Sequence, residues 1–167
     1  MTAGVPHSCR RHRSPPGLQV FHCRDWRLVR HLRLRALDLD AEAFLAEPDD
    51  ERSRSDEEWA AEIHELTWVA ATMAADGVGL ARSRKAEDGT HVESLWVDPG
   101  HRRAGVATRL LQELFRIERE HGVTHLFVWV LEGNTAARTL YRRLGFRQTE
   151  TQPLADGRIE VRFEIDL

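Results

Sequence analysis

The spacing of apolar positions changes several times along the chain, and each change marks an element. LQVFHCR, Leu18 to Arg24, alternates as a first strand would. From Asp25, an N-cap candidate, Trp26, Val29, Leu32 (or Arg33) and Leu37 recur at helical spacing with arginines between them. Ser55 and Glu58 have the spacing of a capping box, which predicts a second helix over Asp56 to Glu65. The acidic stretch between, Asp38 to Asp56, is interrupted by Pro48 and reads as a loop. Three short apolar runs follow: Thr67 to Ala74, Val78 to Lys85 and His91 to Val97. Asp76-Gly77 and Asp88-Gly89 separate them, and such pairs supply the positive φ of tight hairpins, so an antiparallel meander is expected.

The strongest periodicity runs from Ala104 to His121. Ala107, Leu110, Leu111, Leu114 and Ile117 share one face with a single acid, Glu118, and Gly122 supplies the stop. HLFVWVL, His125 to Leu131, is apolar enough for a central buried strand, so strand, helix and strand predict a right-handed parallel crossover. Asn134 to Leu144 repeats the helical pattern and closes at Gly145. FRQTE and RIEVRFEIDL, around Ala155-Asp156-Gly157, form a last hairpin. The predicted order is β-α-α-β-β-β-α-β-α-β-β, an α/β (α+β) chain with a mixed sheet.

A length of 167 residues, 41% of them hydrophobic, fits one domain with an ordinary core. Residues 1–17 are polar, basic and proline-bearing and are expected to form a disordered leader, leaving residues 18–167 as the folded domain. His7, Cys9 and His12 match no structural zinc spacing, Cys9 and Cys23 form no CxxC pair, and no metal is expected. The net charge of −3 weighs against a broad nucleic-acid surface. No window approaches the roughly 18 apolar residues of a membrane span, and the N-terminus lacks the apolar core of a signal peptide. A cytoplasmic protein that binds neither membrane nor nucleic acid is the expectation.

HRRAGVATRLL, His101 to Leu111, raises the question of chemistry. A helix start leaves about four N–H groups without intrahelical partners and carries roughly half a positive charge. Gly105 and Ala107 keep the approach open, and Arg102 and Arg103 add charge, so a diphosphate would be well received there. The plainer reading is a helix start whose arginines face water. Neither GxxxxGK(S/T) nor GxGxxG occurs, so the common nucleotide loops do not compete.

VDPGHRRAGVATRLL resembles the acetyl-CoA motif of the GNAT N-acetyltransferases, V-x-P-x-x-R/Q-x-x-G-x-G/A, with Val97, Pro99, Arg102, Gly105 and Ala107 in register. NTAARTLYRRLGF resembles the second signature of that family through Asn134, Ala137, Tyr141, Gly145 and Phe146. The resemblance covers about Leu18 to Leu167 and implies the GNAT acyltransferase fold. It also implies that acetyl-CoA donates an acetyl group to a primary amine by direct attack in a ternary complex. By the same resemblance the N–H groups from Arg102 through Arg103, Ala104, Gly105 and Val106 to Ala107, with Thr108 beside them, would hold the pyrophosphate. The main chain of Leu95, Trp96 and Val97 would pair with the pantetheine arm where two strands splay. Val97 N–H would be the oxyanion donor, Asn134 would hold the pantetheine or cap the last helix, and Tyr141 would meet the leaving thiolate as general acid. Tyr141 also fits as a half-buried core residue, since it shares a face with Ala137, Leu140 and Leu144.

Glu93 is the candidate base, directly or through water, with His91 and His125 as lesser candidates; a solvent-facing strand glutamate is the competing reading. A thioester is already activated, so nothing calls for a metal. In proteins of this kind the loop between the first two helices and the last hairpin wall the acceptor cleft. Here that loop holds Asp38, Asp40, Glu42, Glu47, Asp49, Asp50 and Glu51, which favours a cationic small molecule. Trp59 is the tryptophan expected nearest the cleft. A protein N-terminus or lysine as acceptor, or a non-catalytic acyl-CoA-binding module, are the alternatives. A homodimer through sheet edges or the last hairpin is common for this architecture, though no residue decides it.

Overall fold

A computed structural model describes residues 16–44 and 48–167. Residues 1–15 of the expected leader, with His7, Cys9 and His12, lie outside the described residues, as does Glu47. The strands are β1 (Leu18–His22), β2 (Thr67–Met73), β3 (Asp76–Ala86), β4 (Gly89–Val97), β5 (His125–Leu131), β6 (Arg147–Pro153) and β7 (Ile159–Asp166). They form one sheet in the order β1-β2-β3-β4-β5-β7-β6. Only β4 and β5 pair in parallel. The helices are α1 (Trp26–Asp40), α2 (Pro48–Ser53), α3 (Asp56–Glu65), α4 (Val106–Glu120) and α5 (Thr135–Arg143).

Local signals set most helix starts. Asp25 accepts a hydrogen bond from Arg27 N–H at 2.9 Å, Ser55 and Glu58 close a full capping box, and Asn134 accepts from Ala137 N–H at 3.0 Å. Each such cap is worth about 1 kcal/mol. Strand alternation then sorts the core into two layers. Val69, Ala71 and Val78 face Leu110, Leu111 and Leu114 of α4. Trp68, Ala70, Leu80 and Trp96 face Val29 and Leu32 of α1 and Trp59 and Ile63 of α3. Helices on both faces explain why the middle of β2 is buried on both sides. Glu118, the acid on the apolar face of α4, is 3% exposed and accepts a 2.7 Å hydrogen bond from Ser83 Oγ across the α4–β3 contact.

The structure corrects several sequence expectations. The expected acidic loop is largely helical: α1 runs on to Asp40, a 3₁₀ turn covers Ala41–Ala43, and α2 follows. Asp49, Asp50 and Glu51 fall in the first turn of α2, where the helix dipole favours acids. The first hairpin turns at Ala74 and Ala75, with φ of 50° and 73°, and not at Asp76-Gly77, whose residues already pair within β3. Burial overrode turn chemistry here: a Cβ on Gly77 would come within 2.8 Å of Leu32 Cδ2, so this glycine admits α1 against the sheet. Trp59 is sealed in the α1–α3 layer at 1% exposure and lies under Arg54, away from the cleft.

Candidate functional site

The site begins with a defect in β4. Ser94 has a φ of 56°, and the β3–β4 register slips between Leu80 and Arg82, as a bulge requires. Beyond the bulge β4 turns away from β5. The two strands pair only at Thr90–Leu126 and His91–Phe127, then part. Asp98 N–H bonds back to Val78 O at 2.9 Å, so strand alternation turns the main chain of Val97 the other way, into the gap. Arg102 Nε holds Val97 O at 2.9 Å, leaving the Val97 N–H facing the opening.

A tight turn carries the chain from β4 to α4. Asp98 accepts from Gly100 N–H at 2.9 Å, Arg103 takes a left-handed φ of 61°, and Gly105 takes one of 83° as the residue before the helix. The helix therefore starts at Val106, two residues later than the periodicity suggests. The N–H groups of Val106, Ala107 and Thr108 have no acceptor inside it. A groove of about 590 Å³ lies over this end, lined by Leu95, Trp96 and Val97 on one side and by Arg102, Arg103 and Gly105 through Thr108 on the other. Ala104 is the one member of the expected cradle that does not line it. Ala136, Ala137, Leu140 and Arg143 of α5 complete the wall, and the family motifs name only Ala137 among these.

The two arginines of the motif part company. Arg102 forms an ion pair with Asp40 as well as holding Val97 O. Asp40 also accepts a 2.7 Å hydrogen bond from Trp96 Nε1. The end of α1 is thus tied to β4 and to the turn at once, and the ring of Trp96 packs on the α1 side. Arg103 and Arg143 have no carboxylate partner among the described residues, so they are the cations free to meet a polyphosphate.

On the other side of the gap is a cleft of about 280 Å³ that shares Leu95 and Ala137 with the groove. Tyr141, Asn134, His91, Glu93 and Trp129 line it. Tyr141 is 3% exposed, edge-on to Phe146 and stacked with Phe163, and burial pushes its hydroxyl above the ordinary phenol value. Asn134 is a helix cap that also borders the cleft.

Glu93 stands among three basic side chains. Arg82 approaches within 2.8 Å, Arg84 within 2.7 Å and His91 Nδ1 within 2.9 Å. Burial alone would raise its pKa. The hydrogen bonds from His91 and Arg84 and the charge of Arg82 outweigh burial and hold the carboxyl well below the usual range. That runs against the direct proton acceptor expected from sequence, because a carboxylate so stabilised binds a proton weakly. His91 stacks on Phe127 with ring centroids 4.7 Å apart, and its Nε2 is not used by Glu93. His125 sits at the far end of β5 with Glu164 and Asp166, outside the cleft.

A larger basin of about 810 Å³ opens outward from the cleft, sharing Ala43, Leu131 and Asn134 with it. Asp38, Asp40, Glu42 and Glu132 line it against a single arginine, Arg158. Part of the expected negative rim is already neutralised: Asp38 pairs with Arg52, Asp40 with Arg102 and Glu51 with Arg33. Glu42 and Glu132 keep their charge unpaired among the described residues. Trp129, the outward member of the β5 alternation, is the tryptophan that borders the cleft.

A family model described as Acetyltransferase (GNAT) family matches residues 30–146. The ribosomal-protein-S18-alanine N-acetyltransferase of Escherichia coli superposes with a TM-score of 0.66 at 21% identity, over 89% of this chain and 93% of that one. A GNAT-family acetyltransferase of Streptococcus pneumoniae gives 0.75 at 15% identity, over 90% and 99%. A candidate streptothricin acetyltransferase of Bacillus anthracis str. Ames, solved with acetyl coenzyme A, gives 0.59 at 17% identity, over 62% and 63%. No curated protein matches by sequence.

Proposed function

The chain belongs to the GNAT acetyltransferase family and is an acetyl-CoA-dependent N-acetyltransferase; from that premise we propose that a single domain over residues 18–167 acetylates a primary amine on a cationic small molecule. The observation that carries this reading is the meeting of groove and cleft at Leu95 and Ala137, through the gap between β4 and β5. A donor on one side and an amine on the other would meet there without either crossing the sheet.

The open N–H groups of Val106, Ala107 and Thr108 suit the pyrophosphate, with Arg103 and Arg143 adding charge. The main chain of Leu95 to Val97 suits the pantetheine arm. Acetyl-CoA supplies an acyl group already activated as a thioester, so the reading needs no metal. Val97 N–H is the donor for charge developing on the carbonyl oxygen, and such a donor contributes about 3 kcal/mol. The peptide that follows is fixed on both sides, by Arg102 Nε on Val97 O and by Asp98 N–H on Val78 O.

Tyr141 is the group beside the departing thiolate. A free phenol near pKa 10 is a weaker acid than a thiol near 8.5, so full transfer is uphill by roughly 2 kcal/mol. Burial weakens it further as an acid. Its role is therefore a hydrogen bond given as the C–S bond breaks. For the amine proton, Glu93 acts through His91: it orients the ring by the Nδ1 contact at 2.9 Å and leaves Nε2 to receive the proton, directly or through water.

The basin with unpaired Glu42 and Glu132 favours a cationic acceptor over a neutral one. No helix among the described residues is long and apolar enough to cross a membrane; a cytoplasmic enzyme remains part of the proposal. The test is thiol release from acetyl-CoA across a panel of polyamines, aminoglycoside-like amines, peptide N-termini and lysine peptides. Turnover concentrated on the small cations is the expected result. Turnover confined to peptides would replace the acceptor with a protein, and tight acetyl-CoA binding without turnover on any amine would make the domain a binding module.

A further inference from the structure

Glu160 of β7 is a buried carboxylate for which neither family motif has a use. It is 6% exposed and lines the cleft that also holds Tyr141 and Trp129. Among the described residues its carboxylate accepts one side-chain hydrogen bond, from Gln152 Nε2 at 3.3 Å across the β6–β7 pair. Among the described residues no basic side chain lies within ion-pair distance of it. Of the nearby cations, Arg33 gives Nε and Nη2 to Glu51 and keeps a buried Nη1 without a hydrogen-bond partner, while Arg82 pairs with Glu62 and Glu93, Arg158 with Asp156, and Arg162 with Asp88 and Glu164. The other strongly buried acids each have a strong partner: Asp98 pairs with Arg35, and Glu118 accepts from Ser83 at 2.7 Å. A carboxylate that lines a cleft with one long amide contact and no ion pair is suited to a cation that enters the cleft.

The position says which cation. The cleft opens inward to the donor groove at Leu95 and Ala137 and outward to the basin at Ala43, Leu131 and Asn134. An acceptor must thread it with the reacting nitrogen inward. The reacting nitrogen has to lose its proton, and an ion pair to it would oppose that loss. The nitrogen that remains charged throughout is the one a fixed carboxylate can hold without opposing the chemistry. We propose that Glu160 is a specificity-determining residue that binds a second, non-reacting ammonium of the acceptor, so that the preferred substrates are amines carrying two or more separated positive charges. This rests on the acetyl-transfer reading above and narrows its substrate class to polycationic amines.

The probes are unbranched α,ω-diamines of three to eight carbons, each set against the amino alcohol of the same length, with acetyl-CoA as donor and thiol release as readout. For at least one length the wild-type protein is expected to favour the diamine by about 10- to 100-fold in kcat/KM, as loss of one partner of a buried ion pair would imply. Glu160→Gln, which keeps the shape and a polar contact to Gln152, is expected to remove most of that preference through KM. It should leave acetyl-CoA affinity unchanged and lower kcat/KM far more for the diamine than for the amino alcohol of the same length, and Glu160→Asp should restore part of the preference. A diamine preference that survives Glu160→Gln overturns the proposal. Calorimetry on the wild-type complex with CoA gives a check that needs no variant: the preferred diamine should bind more tightly than its amino alcohol, and equal affinity overturns the assignment. Failure of the wild-type protein to bind acetyl-CoA at all would instead overturn the reading beneath it.

Discussion

Removing the carboxylate of Asp40 tests how the first helix is coupled to the donor groove. Asp40 accepts from Trp96 Nε1 at 2.7 Å and pairs with Arg102. Trp96 is 4% exposed, so Asp40→Ala leaves a buried indole N–H without its acceptor, a loss of about 1–3 kcal/mol. The Arg102 side chain is 42% exposed, and its ion pair is screened to less than about 1 kcal/mol. Asp40 itself is only partly buried, so water reaches the indole after truncation and the expected total lies near 2 kcal/mol, or a fall of about 5 °C in Tm for a domain of this size. Urea unfolding of Asp40→Ala, Trp96→Phe and the double variant isolates the pair. Trp96→Phe removes the N–H, so Asp40→Ala in that background should cost only the screened Arg102 contribution. A coupling of about 1–2 kcal/mol is expected. Equal losses in both backgrounds would mean that the Trp96–Asp40 bond carries no stability and that the tie between α1 and β4 lies elsewhere.

Tyr141→Phe should lower turnover by about tenfold or more while acetyl-CoA affinity barely changes, because the lost hydrogen bond forms only as charge develops; unchanged kcat in a steady-state assay removes Tyr141 from the chemistry. Gly79→Ala should destabilise the protein by about 1–3 kcal/mol, since the new Cβ would lie 2.8 Å from Trp96 O and 3.1 Å from Leu110 Cδ1; thermal melting checks it. Glu93 has a folded pKa held below its ordinary value, so its stabilisation is fully present above the unfolded pKa near 4.3 and is lost as pH falls through the folded value. Glu93→Gln should therefore cost about 2–4 kcal/mol at neutral pH, and the gap from wild type should narrow only in strong acid, measured by urea unfolding at several pH values. Replacing Arg103 and Arg143 together by alanine should weaken acetyl-CoA binding about tenfold or more, with a shallower salt dependence than wild type; calorimetry at two salt concentrations reads both.

The local parts of this protein were legible in its sequence. The caps at Asp25, Ser55 and Asn134, the α4 face built on Leu110, Leu111 and Leu114, and the buried run of β5 depend on residues a few positions apart, where spacing alone determines which side chains meet. The groove was legible for the same reason, since Gly105 and the open N–H groups behind it belong to one continuous stretch.

Only the tertiary structure decided how groups far apart in the chain share charge and space. Asp40 meets Arg102 from 62 positions away, which ties an arginine of the groove to the end of α1. Glu93 meets Arg82 and Arg84 from the neighbouring strand, so the expected base becomes a weak one. Gly77, read as a turn residue, is needed instead for the approach of Leu32. Glu160 looks like one more charge on an alternating strand, and only the sheet order, with β7 beside β5, buries it in the cleft that Tyr141 also lines. A side chain's chemistry is written in its residue type, but its protonation, its partner and its exposure depend on the neighbours that the fold supplies.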